Sequence, residues 1–113
     1  MADIEIEVRE DILVAFLKGD IDHHCVQRLR LRIDSEIIYH SPRITVLDFS
    51  MVGFMDSSGV GLILGRNKLV STLGKRLAVQ GVPENLTKIL KLAGISYTVA
   101  NKAQTEKEER ANK

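Results

Sequence analysis

Apolar residues recur along this chain with strand and helix periods in turn, and the points where the period changes mark its elements. Ile4, Ile6 and Val8 alternate with Asp3, Glu5, Glu7 and Arg9, the pattern of a strand with one wet face. Glu10-Asp11 reads as a turn, and Ile12 to Leu17 as a second, more buried strand, so the pair predicts a hairpin. Val26, Leu29, Ile33 and Ile37 then mark one face of a helix. Arg28, Arg32 and Glu36 lie on its wet side, with Arg32 and Glu36 at pairing distance. Asp22 is placed to cap this helix, and Pro42 to end it by disfavouring helical geometry at Ser41.

Ile44 to Phe49 is an almost unbroken apolar run, rich in β-branched and aromatic residues, which suits a central strand buried on both faces. A short connection leads to Val60, Ile63 and Leu64, the inward stripe of a helix that runs to about Leu73 and stops at Gly74. Leu77 to Val82 predicts another strand. Pro83 predicts the first turn of a helix that buries Leu86, Ile89, Leu90 and Ala93 and ends at Gly94. Ile95, Tyr97 and Val99 alternate as a last strand. The order β-β-α-β-α-β-α-β predicts an α/β domain over residues 1–100. Its mixed β-sheet takes its antiparallel part from the hairpin, and the helices pack against it. Residues 101–113 are polar with mixed charge. Thr105 and Glu108 have capping-box spacing but no apolar face follows, so a frayed helix or a disordered tail is expected there.

Composition narrows the function. A length of 113 residues suits one core. Lys plus Arg number 16 against 15 Asp plus Glu, so no net field draws the chain to nucleic acid or to an anionic membrane. Aromatics are 4% of residues, too few for a base-stacking platform. Cys25 is alone, which excludes an internal disulfide and fits a reducing compartment. The acidic, alternating N-terminus is unlike a signal peptide, and no apolar run is long enough to span a bilayer. A cytoplasmic protein is expected.

The chemistry concentrates at Met55-Asp56-Ser57-Ser58-Gly59, where a strand hands over to a helix. A serine there caps the helix and still faces water, near backbone N–H groups and the positive end of the dipole, a setting suited to a phosphoryl charge. Ser57 is the expected cap. Other readings fit less well. Gly59, Gly61 and Gly65 are spaced one residue too widely for a dinucleotide fingerprint, and Gln80 stands where a ribose-binding acid would be needed. A hydrolase elbow requires Gly two residues before its Ser; Met55 and Asp56 occupy those places. Asp22-His23-His24-Cys25 resembles a ligand cluster, but adjacent helical residues point about 100° apart. The simpler expectation is a helix start with one buried and one exposed His, and no metal. Nothing in the spacing of Asp20, Asp22 and Asp56 demands Mg²⁺. Arg28, Arg30 and Arg32 read as a solvated helix face rather than a nucleic-acid site. No cofactor and no catalytic set emerge, which favours a binding module over an enzyme.

Two segments carry a family resemblance. Gly19-Asp20-Ile21-Asp22-His23-His24 resembles the G-[ED]-[LI]-D-H-H segment of anti-sigma factor antagonists. Phe54-Met55-Asp56-Ser57-Ser58-Gly59-Val60-Gly61 with Leu64-Gly65-Arg66 resembles their F-M-D-S-S-G-[LV]-G…L-G-R segment. The family has the STAS fold, and the double-His form is most similar to its sporulation, sigma F branch. The resemblance implies a partner switch. The unphosphorylated protein binds an anti-sigma factor that is also a serine kinase, and the sigma factor is released. The kinase uses ATP to phosphorylate the first Ser of D-S-S-G, here Ser57. A serine phosphatase resets the switch. By position, Asp20, Asp22, His23, Met55, Asp56, Ser58 and Gly59 would contact the partner. A STAS scaffold or antagonist in a stress-response sigma pathway is the alternative, and a Ser57–His23 or Ser57–His24 hydrolase a third.

Overall fold

The computed structural model describes residues 2–100. In chain order it contains β1 (Asp3–Arg9), β2 (Ile12–Ile21), α1 (Val26–His40), β3 (Ile44–Met55), α2 (Ser57–Thr72), β4 (Arg76–Val82), α3 (Thr87–Leu92) and β5 (Ser96–Val99), with a 3-10 turn at Glu84–Leu86 before α3. The element order is the one the hydrophobic pattern predicts. A single five-stranded sheet runs β1-β2-β3-β4-β5. The hairpin β1–β2 is antiparallel, and β2, β3, β4 and β5 are parallel neighbours. Glu10, at the hairpin turn, has a φ of 55°.

Parallel strands laid down consecutively, each joined by a helical crossover of one hand, place their helices on one side. Burial shows that side. Leu13, Thr45 and Leu77 stand in register across β2, β3 and β4, as do Ala15, Leu47 and Val79, and all six are buried. The apolar five, all but Thr45, share the core with Leu29, Ile33 and Ile37 of α1 and Ile63 and Val70 of α2. On the other side Ile12, Val14, Phe16, Ile44 and Val46 are only half-buried. The expectation that β3 is buried on both faces therefore fails for Ile44 and Val46, because the sheet carries helices on one face.

Local chemistry moves several boundaries. Both β2 and β3 run past their expected ends, to Ile21 and Met55, because they continue to pair through two register shifts. Asp22 does not cap α1 directly. Its carboxylate instead accepts from the N–H groups of His24 (2.9 Å) and Cys25 (3.3 Å), shaping a turn before the helix, and Cys25 takes the N-cap position without a side-chain capping bond. His23 and His24 lie in that turn and both are exposed, so neither is the buried histidine expected. Ser41 ends α1 in the left-handed region. On α2 the expected stripe is displaced. Ile63 is buried but Val60 and Leu64 are half-buried, and the inward residues are Gly59, Leu62, Ile63, Arg66 and Val70. The helix rolls by about one position because Gly59 and Arg66, which no hydropathy count marks as apolar, belong to its buried face.

Gly74, with a φ of 72°, closes α2: its N–H donates to the Ser71 carbonyl and the Lys75 N–H to that of Val70. Pro83 is extended and precedes the 3-10 turn instead of opening α3, and Ile89 is exposed. The expectations for residues 101–113 lie outside the described residues. Among those described, no helix is long and apolar enough to cross a membrane.

Candidate functional site

The site is built where β2 and β3 bend together. Gly19 has a φ of 86°, and the ladder shifts register between Phe16 and Lys18 and again between Gly19 and Asp20. Each shift adds twist and interrupts the pairing locally, and the strands pair again beyond it. Asp20 therefore ends opposite Phe54 and Ile21 opposite Met55, and the Asp56 N–H reaches the Ile21 carbonyl at 3.1 Å. Two segments far apart in sequence, Asp20–His24 and Met55–Gly59, thus become neighbours. His23 Nδ1 stands 3.9 Å from Asp56 Oδ2. A Cβ added at Gly53 would lie 3.3 Å from Asp20 Oδ1, so the backbone there passes tight against that acid.

Asp56, not Ser57, is the N-cap of α2. Its Oδ1 accepts from the Ser58 N–H at 2.9 Å and also from the Ser58 hydroxyl. These two bonds, the hydroxyl first, hold the Asp56 carboxyl below its ordinary pKa of 3.8. Asp22 is held below the same value chiefly by the His24 N–H. The site thus carries two carboxylates that stay charged at neutral pH, beside a helix start that favours them. Ser57 becomes the first helical residue. It is exposed, and its hydroxyl makes no hydrogen bond among the described residues. The expected cap and the expected switch residue are therefore different side chains: capping engages Asp56 and Ser58 and leaves Ser57 unbonded. A D-S-S sequence at a helix start already permits this, since Asp is as good a cap as Ser.

Gly59 is buried, and a Cβ there would collide with the Met55 side chain. Met55 lies across the first turn of α2 because position 59 has no side chain. It is half-buried, so only part of it faces outward. Asp20, Asp22, His23, Met55, Asp56, Ser58 and Gly59 all gather within this corner. Neither serine hydroxyl is hydrogen-bonded to a histidine among the described residues. Among the same residues no group of three or more His, Cys, Asp or Glu side chains is arranged to hold a metal ion.

Sequence reasoning missed a buried ion pair farther along α2. Arg66, one of the inward residues of α2, is buried, and its Nε lies 2.6 Å from Asp34 Oδ1 on α1. The contact is close but poorly aligned, so it is an ion pair more than a directed hydrogen bond, and neither atom finds another partner. Burial pushes the Arg66 guanidinium below its ordinary pKa against the opposing pull of Asp34. The pair clamps α2 to α1. A helical wheel shows the signal: Arg66 sits three residues after Ile63 and four before Val70, on the apolar stripe.

Comparison with known proteins decides the family. Residues 3–109 match the model of the STAS domain. The chain belongs to the STAS domain family. The STAS relative from Paenibacillus polymyxa, an anti-sigma F factor antagonist, is 36% identical over 92 residues, which span 81% of this chain and 79% of that one. The unphosphorylated form of the anti-sigma factor antagonist SpoIIAA superposes with a TM-score of 0.73 at 28% identity, covering 96% of this chain and 98% of the other. The phosphorylated form of SpoIIAA, a Bacillus cell fate determinant, gives 0.71 at 27% identity, covering 94% and 98%. The resemblance expected from the D-H-H and D-S-S-G segments thus extends over the whole STAS fold and reaches anti-sigma factor antagonists.

Proposed function

We propose that this STAS protein is an anti-sigma factor antagonist of the sporulation sigma F type, switched off by phosphorylation of Ser57. One observation carries the reading. Of two adjacent serines at the start of α2, Ser58 is tied to Asp56 while Ser57 is exposed and unbonded. The Ser57 hydroxyl is the one a kinase can engage without first breaking the helix cap.

The partner is an anti-sigma factor that is also a serine kinase, bringing its own ATP. Asp20, Asp22, His23, Met55, Asp56 and Ser58 surround Ser57 and form the contact surface, while Gly59, expected there too, is buried and acts by letting Met55 lie across the helix start. Docking there displaces the sigma factor. A phosphoserine carries about −1.5 to −2 charges and would stand beside Asp56, with Asp22 nearby. The fold tolerates it, because the α2 N-terminus favours negative charge. The complex does not, because an interface shaped around a small neutral hydroxyl would have to desolvate a dianion. A serine phosphatase restores binding. The protein acts in the cytoplasm as a binding partner and catalyses nothing itself.

Incubation with the anti-sigma factor kinase and ATP, followed by mapping of the phosphate, tests the assignment. The expected result is a single phosphate on Ser57 that is lost in Ser57→Ala. A phosphate on Ser58 or Thr72, with Ser57→Ala still modified, would refute it. Capture of a large stress-response scaffold in place of the kinase would move the protein to another sigma pathway.

A further inference from the structure

Beyond the switch corner, β3 has a second feature that the proposed mechanism does not use. The ladder between β3 and β4 runs from Ile44–Arg76 to Asp48–Gln80 and stops, although β3 continues to Met55 and β4 to Val82. The cause is local. Gly81 has a φ of 68°, and β4 shifts register against β5 between Val79 and Val82. A Cβ at Gly81 would come within 2.8 Å of the Ser50 backbone nitrogen, so the two strands pinch together at that point. Asp48 ties the last rung: Gln80 Nε2 donates to it at 2.9 Å and the Ser50 N–H at 2.9 Å. Past the pinch, β4 leaves with β5 while β3 stays with β2. The strands diverge into an open concavity of about 1220 Å³ between the end of β3 on one side and Pro83, Thr98 and Val99 on the other.

Residues Met51–Met55 thus pair with β2 on one side and, among the described residues, with no strand on the other. Their edge is about 17 Å long at the usual strand rise. An inner strand with one open edge presents backbone N–H and C=O groups at fixed spacing, and the chemistry that satisfies them is another extended backbone. The cleft beside it presents two exposed apolar side chains, Phe54 at 56% and Val99 at 39%, among polar neighbours that include Glu84 and Thr98. The edge is also continuous with the switch corner, since Met55 belongs to both.

We infer that this cleft is a second docking element for the anti-sigma factor, which contributes an extended segment that hydrogen-bonds to the free edge of β3 between Met51 and Met55 and packs on Phe54 and Val99. The inference rests on the reading of the preceding subsection for the identity of the partner. It adds a mode of recognition, strand addition, in which main-chain bonds supply affinity and flanking side chains supply selectivity. Because β3 leads straight into Asp56 and Ser57, a strand seated there would hold the partner across the residue it phosphorylates.

The test uses the full chain with the anti-sigma F factor of Paenibacillus polymyxa as the binding probe. Amide hydrogen exchange is followed in the free and bound protein. Amides within residues 51–55 are expected to slow at least about tenfold on binding, as for a newly paired strand. Val99→Lys, a change at an exposed position on the far wall, is expected to weaken binding about tenfold. Its thermal midpoint should match wild type, while its phosphorylation at Ser57 should slow at kinase concentrations below saturation. A complex whose protection is confined to residues 56–60, with Val99→Lys binding like wild type, overturns the inference and leaves the proposed function standing. The inference also falls if the edge amides are already slow in the free chain and speed up when the chain is cut after Ala100, since residues 101–113 would then hold the edge. Absence of any wild-type complex removes the proposed function and this inference together.

Discussion

The two ends of the sheet are built to different rules. At the end where β3 and β4 begin, rungs are regular and closely tied. Ile12, Ile44 and Arg76 stand in register, and the Arg43 N–H and Arg76 N–H reach the Asp11 and Arg43 carbonyls at 2.7 and 3.1 Å. At the end where they finish, every neighbouring ladder of β2 to β5 has shifted or stopped. Gly19 and Gly81 adopt positive φ, and Met51 and Phe54 stand exposed. The regular end invests its apolar residues in the core. The irregular end spends pairing and burial to bring Asp20–His24 against Met55–Gly59. If the irregular end is the recognition surface proposed above, stability and recognition are separated along the same strands, and substitutions at the two ends should have separable effects.

The sharpest separation is expected at Ser57. Ser57→Asp places a charge beside Asp56 and should weaken binding to the anti-sigma factor by at least about 100-fold, as an unpaired charge at an interface does. The circular dichroism spectrum and thermal midpoint should stay close to wild type. Tight binding by this variant, measured by calorimetry, would remove electrostatics as the basis of the switch. At the other end, Leu47→Ala should do the reverse. Leu47 is fully buried on β3 between Ala15 and Val79, and its truncation should cost about 2–5 kcal/mol in urea unfolding. Folded Leu47→Ala should still bind the partner. Loss of affinity in the folded variant would show that the two ends are not independent.

The same division explains what the sequence disclosed. Ile4, Leu29, Ile33, Ile37 and Leu47 follow simple periods because one flat face of sheet and one stripe of helix suffice to bury them. The topology followed from the order of such runs. The irregular end obeys no period. The extra length of β2 and β3 depends on register shifts, which arise from the fit of two strands rather than from either alone. Phe54 is a large apolar side chain that stands exposed where β4 turns away at Gly81, a choice made across the sheet. The Ser pair was legible as a helix start, but which residue caps depended on Asp56, one position earlier. Arg66 was missed although a helical wheel places it on the apolar stripe, because its partner Asp34 lies on another helix and no period connects the two.

Between the two ends lies the Arg66–Asp34 pair, which sharpens the comparison. Removing one member of a buried ion pair leaves the other uncompensated. Arg66→Ala should therefore cost toward the lower end of about 3–5 kcal/mol, since Asp34 retains some contact with water. Arg66→Met, which keeps the packing, still strands Asp34, whereas Arg66→Met with Asp34→Leu should recover most of the loss. A double-mutant cycle by urea unfolding measures the coupling. If the clamp serves the switch as well as the fold, the double variant should be stable yet show faster amide exchange at Ser57 and Ser58.

The smallest effect expected is on pH. The Asp56 carboxyl is held below 3.8 in the folded protein, first by the Ser58 hydroxyl and then by the Ser58 N–H. A depressed carboxyl contributes its stabilisation fully above the unfolded value and loses it as pH falls through the folded one. The N-terminal turn of α2 should therefore be unaffected from neutrality down to about pH 5 and loosen below 3.8, within a window where the regular end of the sheet keeps its apolar core. Two-dimensional NMR can follow both ends in one titration. The Ser58 amide should shift and exchange faster with a midpoint below 3.8, while the Leu47 and Val79 amides stay in place. Asp56→Asn, which can still accept from Ser58 but does not titrate, should abolish that midpoint and leave the helix start intact at neutral pH. If Ser58 and Leu47 instead moved together, acid would be acting on the whole fold. The local cap would then have no part in setting the state of the switch corner.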